Sequence, residues 1–373
     1  MEQAMSMAQW VESYGHDWVL AVAGAGAGLM FGFMGQRSKF CLRAAVIEFW
    51  HRKFGEKLIV WLLAFSSAVI AVQAMILLGW LDTSSARQIA STGSLSGALV
   101  GGLIFGAGMI LTRGCASRLL VLSANGNLRA LLSGLIFAVA AQSALSGALS
   151  PLRLEISSWW LVEGGPSRDL LARLGVGHGF GLAMGGIWLL AALYFAWYSP
   201  KRSFWMWIGG IGTGLSVALA WGLTQWVATE TFGEAQIQGV TFSGPSADWL
   251  MRVVKWPAPG LDFGFGLMPG VFLGSFLGAV LGREWKLEGF KDGYSMRRYI
   301  VGAIFMGFGS MLAGGCAVGA GVTGGSIFAI TAWLSLVGMW IGAGLTDRLM
   351  DSTEHQPHQH PVNIDPGNGL RVP

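Results

Sequence analysis

Nine stretches of this chain run almost without a charge for about the length of a bilayer-crossing helix. They lie at 18–35, 58–80, 96–112, 128–149, 178–198, 204–226, 263–282, 299–314 and 326–346. A helix needs about 20 mostly apolar residues to cross, because lipid offers the backbone N–H and C=O groups no partner. Composition agrees. Of the 373 residues, 53% are hydrophobic and only 12% are Asp, Glu, Lys or Arg, about half of the roughly 25% usual in soluble domains. That leaves too little charge to cover a water-facing surface, and too many apolar runs for a disordered chain. Soluble enzymes, nucleic-acid binders and secreted disulfide scaffolds are ruled down, since the net charge of +4 is spread over short connections. Glu2, Glu12 and Asp17 precede the first run, where a secretory leader needs basic residues. The expected fold class is an all-α integral membrane protein with about nine transmembrane helices.

The connections carry an orientation signal. Loop 36–57 and the others on its side, with the C-terminal tail, hold 18 of the 24 Lys and Arg residues; the opposite side holds six. Basic residues collect on the cytoplasmic side, so nine spans predict an outer N-terminus and a cytoplasmic C-terminus in the cell's inner membrane. Segments 150–177 and 227–262 read as outer surface loops with interfacial tryptophans. The tail 347–373 reads as cytoplasmic and disordered, its His355, His358 and His360 solvated rather than metal-bound.

The chain also matches itself at an offset of 201. Gly101, Gly106, Gly108, Leu111, Gly114, Cys115 and Ala116 recur as Gly302, Gly307, Gly309, Leu312, Gly315, Cys316 and Ala317. Pairing two of only three cysteines is the telling part. This divides the chain into a first membrane repeat, 1–150, with Cys41 and Cys115, and a linking segment, 151–203. A second repeat, 204–346, carries Cys316. A lone fifth span between the repeats turns the second over, giving two inverted repeats. The stretches 116–124 and 317–323 are too short to cross and read as re-entrant half-helices, with ordinary loops as the alternative. Runs at four-residue spacing, Gly24, Gly28 and Gly32, then Gly270, Gly274, Gly278 and Gly282, read as close-packing faces. Gly114, Gly314, Gly315 and Gly319 stand where the chain leaves a helix, where φ > 0 and bare amides are useful.

No Asp, Glu, Lys or Arg falls in the middle of any run; Gln73, Gln142, His178 and Thr213 are the few polar groups. Cation coupling normally needs buried carboxylates, and hydrolysis needs a nucleophile with a base or a metal. Neither set is present. No CxxC pair or neighbouring histidine makes a zinc or thioredoxin-like site from Cys41, Cys115 and Cys316, and no cofactor is expected. What remains is thiols and exposed amides along a glycine-rich path. A thiol is a weak donor and a soft acceptor, and amides at helix N-termini favour anions. Together they suit a small sulfur-bearing anion. Arg37, Arg43, Arg113 and Arg118 either draw that anion inward or merely set topology.

The motifs RSKFCLRAA at 37–45, GMILTRGCAS at 108–117 and GSMLAGGCAVG at 309–319 resemble those of the YeeE/YedE sulfur-transport family, over about residues 20–346. The resemblance implies an hourglass of spanning and partly inserted helices that is a thiosulfate permease, not an enzyme. It implies passage along Cys41, Cys115 and Cys316 by transient S–H hydrogen bonds. Delivery would be to a cytoplasmic rhodanese or small sulfur-carrier protein on a separate chain. Arg113 and Arg118 depart from the second copy, which has Gly314 and Gly319 there, and mark a subgroup for another sulfur or a selenium species. The competing readings are a membrane sulfurtransferase that forms a cysteine persulfide, and a permease-like subunit whose cysteines only pack.

Overall fold

The computed structural model describes residues 15–199, 203–255, 260–289 and 293–354. Apolar runs become helices: α1 (His16–Ser38), α2 (Leu42–Trp50), α3 (Glu56–Leu77), α4 (Leu95–Leu111), α5 (Ala116–Ala124), α6 (Leu128–Ser146), α7 (Ser150–Ser158) and α8 (His178–Tyr198). The second half adds α9 (Phe204–Glu230), α10 (Ser243–Val254), α11 (Phe263–Leu281), α12 (Gly293–Leu312), a π-helical segment Ala317–Gly324, and α13 (Ile330–Glu354). Pairing of Gly93–Ser94 with Leu161–Val162 is the one named strand pair among the described residues. Eight helical stretches among the described residues are long and apolar enough to cross a membrane. The ninth expected run is α13, long enough at 25 residues but diluted near its end by Asp347 and Arg348.

Packing directions establish how the halves relate. A Cβ on Gly101 would lie 2.7 Å from the Gly309 carbonyl oxygen, and one on Gly309 2.8 Å from the Gly101 carbonyl. Gly108 and Gly302 repeat the arrangement at 2.6 and 2.8 Å. The repeat carries one of these contacts onto the other, with numbers rising along α4 as they fall along α12. A self-complementary antiparallel contact of this kind requires a two-fold axis perpendicular to the helices, which for spanning helices is the geometry of an inverted repeat. Other pairings obey the same axis: α1 packs on α11 as α9 packs on α3, and α4 on α13 as α12 on α6. Glycine makes these approaches possible. Gly24, Gly28 and Gly32 face the backbone carbonyls of Phe263, Leu267 and Val271, while Gly266, Gly270 and Gly274 face those of Ala21, Ala25 and Leu29. Of the other two glycines expected to pack, Gly278 abuts Gln36 and Gly282 the Arg37 side chain.

Three expectations need correction. The segment 36–57 is not a plain loop, because α1 resumes as α2 after a three-residue break. Its polar end is anchored: His51 Nε2 lies 2.7 Å from Asp347 Oδ2, and Trp50 Nε1 donates to the Trp340 carbonyl (3.2 Å). The segments 150–177 and 227–262 are not bare loops either, since they contain α7 and α10. Helix α10 buries Ser243, Pro245 and Ala247 and is the symmetry mate of α2. Finally, α13 runs on to Glu354 through the region expected to be a disordered tail, with half-buried His51 giving Asp347 a partner there. His355, His358 and His360 lie outside the described residues.

Candidate functional site: three thiols at three helix breaks

Each cysteine occupies the same place in one recurring turn. Two residues before it stands a left-handed residue: Lys39 (φ 57), Arg113 (φ 58) or Gly314 (φ 77). The next amide reaches back five residues, closing the preceding helix: Phe40 N–H to the Gly35 carbonyl (3.0 Å), Gly114 to Met109 (3.2 Å) and Gly315 to Ser310 (2.8 Å). This is the Schellman closure, which satisfies the last carbonyls of a helix without water. The cysteine itself is extended and caps the next short helix. Its carbonyl accepts the first helical bond, from Ala45 (3.2 Å), Leu119 (2.9 Å) or Ala320 (2.8 Å). At Cys316 the sulfur also takes the role that oxygen plays in a Ser or Asp cap, accepting from the Gly319 amide three residues on (3.5 Å); Cys41 and Cys115 make no such cap bond. Because each break closes its own hydrogen bonds, it is tolerated at membrane depth.

Of the four glycines flagged at these breaks, only Gly314 has φ > 0; Arg113 takes the equivalent place in the first copy. Gly315 and Gly319 are required for space instead. A Cβ on Gly315 would lie 2.7 Å from the Ala320 nitrogen, and one on Gly319 would run into the Thr241 hydroxyl. Gly114 has ordinary room, its nearest neighbour being Leu119 at 3.5 Å.

All three thiols are free and buried, and all belong to one continuous core cluster. Cys41 and Cys115 lie next to one another. Cys115 Sγ also lies 3.4 Å from Ser117 Oγ. A polar web runs from this pair to the exposed Lys39 and Glu284. Arg118 Nη1 donates to Gln36 Oε1 (3.3 Å), Gln36 Nε2 donates to Glu284 Oε2 (2.9 Å), and Lys39 Nζ pairs with Glu284 Oε1 (3.2 Å). Arg113 is exposed. Thr112 Oγ1 pins the break beside it by donating to the Gly114 carbonyl (2.8 Å).

Cys316 faces different surroundings. A cavity of about 500 Å³ is lined by Arg87, Arg153, Arg168 and Asp248, and it reaches Gly314 and Ala320 on either side of Cys316. Arg168 is 6% exposed. Its Nη1 donates to the Ser91 carbonyl (2.6 Å) and its Nη2 to Thr331 Oγ1 (2.7 Å), strapping the 160–170 segment to the start of α13. Burial, reinforced by Arg87, lowers the Arg168 guanidinium to about 10, so it stays charged at neutral pH. Burial and the nearby Asp262 raise the Asp248 carboxyl above its ordinary range, against Arg252 and Arg87. The cavity is thus cationic with one protonatable acid.

Sequence reading singled out the cysteines and Arg113 but missed Gln36 and Glu284, which reach Arg118 only through the fold. It also missed Arg87, Arg153, Arg168 and Asp248 as one group. A signal for the third break was present: Lys39 and Arg113 are both basic and both two residues before a cysteine. The offset of 201 carries Cys41 onto Phe242, the cap of α10, so the fourth equivalent position holds a phenyl ring. His178 Nδ1 lies 3.0 Å from Gln73 Oε1, whose Nε2 donates to the Ser326 carbonyl just after the π segment (2.7 Å). Both are braces.

Among known proteins, the family described as sulphur transport matches residues 37–345. The thiosulfate transporter TsuA of Escherichia coli (strain K12) is 24% identical over 351 residues, 87% of this chain and 92% of that protein. The thiosulfate transporter TsuA of Spirochaeta thermophila is 24% identical over 346 residues, 86% of this chain and 97% of that protein.

Proposed function

Because the chain belongs to the sulphur-transport family, we propose that it carries thiosulfate, or a closely related small sulfur anion, inward across the cell's inner membrane. The anion enters the arginine-lined cavity and passes from Cys316 to the Cys115–Cys41 pair. It leaves on the side where α2, α13 and most basic residues lie, to a rhodanese or small sulfur-carrier protein. The observation that carries this reading is one turn built three times with a sulfur in the same place. At Cys316 the sulfur already accepts from its own helix amide, which leaves the S–H proton to offer to a passing soft anion. Such bonds are weak, and passage requires sites that hold an ion only briefly. The N-terminal amides of the short helices add a favourable potential for negative charge.

The test is growth of a sulfur-auxotrophic host on thiosulfate, together with uptake of labelled thiosulfate. Cys115→Ala is expected to abolish both, and Cys115→Ser to leave a small residue of uptake, because a hydroxyl keeps the donor and loses the soft sulfur. Unchanged growth of Cys115→Ala would overturn the reading. Competition by selenite, sulfite and sulfate ranks the substrate, with thiosulfate expected to bind best. A gain of one sulfur on Cys115 by intact-protein mass spectrometry would replace the reading with the persulfide mechanism.

A further inference from the structure

One cation beside the inner thiols is not used by the route just described. Arg118 rises from the first turn of α5, three residues past Cys115. The residue is half-buried, and its guanidinium lies beside both Cys41 and Cys115. Its Nη1 bond to the neutral Gln36 is long at 3.3 Å, and among the described residues it forms no ion pair within 4.0 Å. The nearest acid, Glu284, has one oxygen on Gln36 (2.9 Å) and the other on Lys39 (3.2 Å), so it stands one amide away from Arg118. A half-buried charge without a counter-ion in contact favours the arrival of something of opposite sign. The symmetry-related residue at the outer break is Gly319, where any side chain would collide with Thr241. A cation is therefore present at one thiol site and sterically excluded from its mate.

We propose that Arg118 completes an anion-holding site at the Cys41–Cys115 pair, with the guanidinium taking the oxygens of the ligand and the thiols its sulfur. This rests on the inward route through the thiols. The ligand class follows from the donor set: a small oxyanion that also bears a soft terminal sulfur. Sulfate offers only hard oxygens and polysulfide only soft sulfur, so each meets half the site. A planar guanidinium is suited to two oxygens of one anion, which lysine meets only as a point charge. The inner site is then where the anion dwells before release, and the outer break is where it passes.

The experiment uses the full chain in liposomes with labelled thiosulfate, and in detergent follows how fast a small neutral thiol reagent modifies Cys115. In the wild type, thiosulfate should slow modification about fivefold and sulfate hardly at all, the contrast expected of a charge-assisted contact. In Arg118→Gln, protection should vanish and the maximal uptake rate fall about tenfold, while the concentration for half-maximal uptake changes little. Arg118→Lys should restore part of both. Wild-type protection and rate in Arg118→Gln would overturn the proposal. If that variant does not fold, Arg118→Lys decides: partial protection supports the site, and none overturns it. Should wild-type protein fail to transport, the route itself fails. Should Cys115→Ala stop transport while Arg118→Gln does not, only the role of Arg118 falls.

Discussion

The Cys41 and Cys115 breaks, proposed to be inner, share one backbone with the Cys316 break, proposed to be outer, and differ from it in what surrounds the turn. At the outer break, Gly314 takes the left-handed position at no steric cost and Gly319 leaves Thr241 against bare backbone. At the inner breaks the same left-handed positions hold Lys39 and Arg113, which disfavour that conformation by roughly 1–2 kcal/mol each, and Arg118 stands where Gly319 would be. The turn is thus a fixed scaffold, and its own residues carry charge at the Cys41 and Cys115 breaks, while at the Cys316 break the charge comes from the arginines of the neighbouring cavity. A symmetric pore would bind the anion equally at both ends. Placing cations within the turn at one end and around it at the other makes the two ends unequal without a moving part.

The largest effect expected from breaking this contrast comes from Gly319→Arg, which forces a side chain into Thr241. Overpacking of this order costs about 1–3 kcal/mol or more, and a sharp loss of folded protein is expected by size-exclusion chromatography. Next, Cys316→Ala and Cys41→Ala should each lower thiosulfate uptake at least tenfold, with Cys41→Ala also removing the thiosulfate protection of Cys115. Retained protection in Cys41→Ala would show that the two thiols act independently. Arg113→Gly and Gly314→Ala form an opposed pair. The first relieves left-handed strain and should raise thermal stability by up to about 1 kcal/mol, and the second should lower it by a similar amount. Equal responses would mean the two breaks are not equivalent. The smallest effect concerns pH. Asp248 shares its cavity with Arg87, Arg153 and Arg168 and titrates above the ordinary carboxyl range. Its ionised form competes with an incoming anion, so the half-saturating thiosulfate concentration should fall as outer pH drops through that range. Asp248→Asn should flatten the profile.

The spanning helices were legible because each is a long apolar run, and the internal repeat because Gly114, Cys115 and Ala116 recur around Cys316. Helices α2 and α10 were not. They are short, with Arg43 and Glu48 on one and Asp248 and Arg252 on the other, and only their packing against the core makes them helical partners. The candidate site was half legible. Its sulfurs and Arg113 stand in visible motifs, whereas Gln36, Arg118 and Glu284 are joined across 82 and 248 residues by contacts that no local pattern encodes. The strap made by Arg168 is of the same kind, reaching Thr331 across 163 residues.

The glycine seams where α1 meets α11 and α4 meets α12 have a kinetic consequence. Backbone rests on backbone there, so the two halves have no side-chain cushion across which to tilt, and close-packed interiors do not deform continuously. Alternation by swinging one half against the other would have to break these seams each cycle. Permeation past nearly stationary walls demands no such rupture, and its rate would vary with temperature about as weakly as diffusion through a narrow pore.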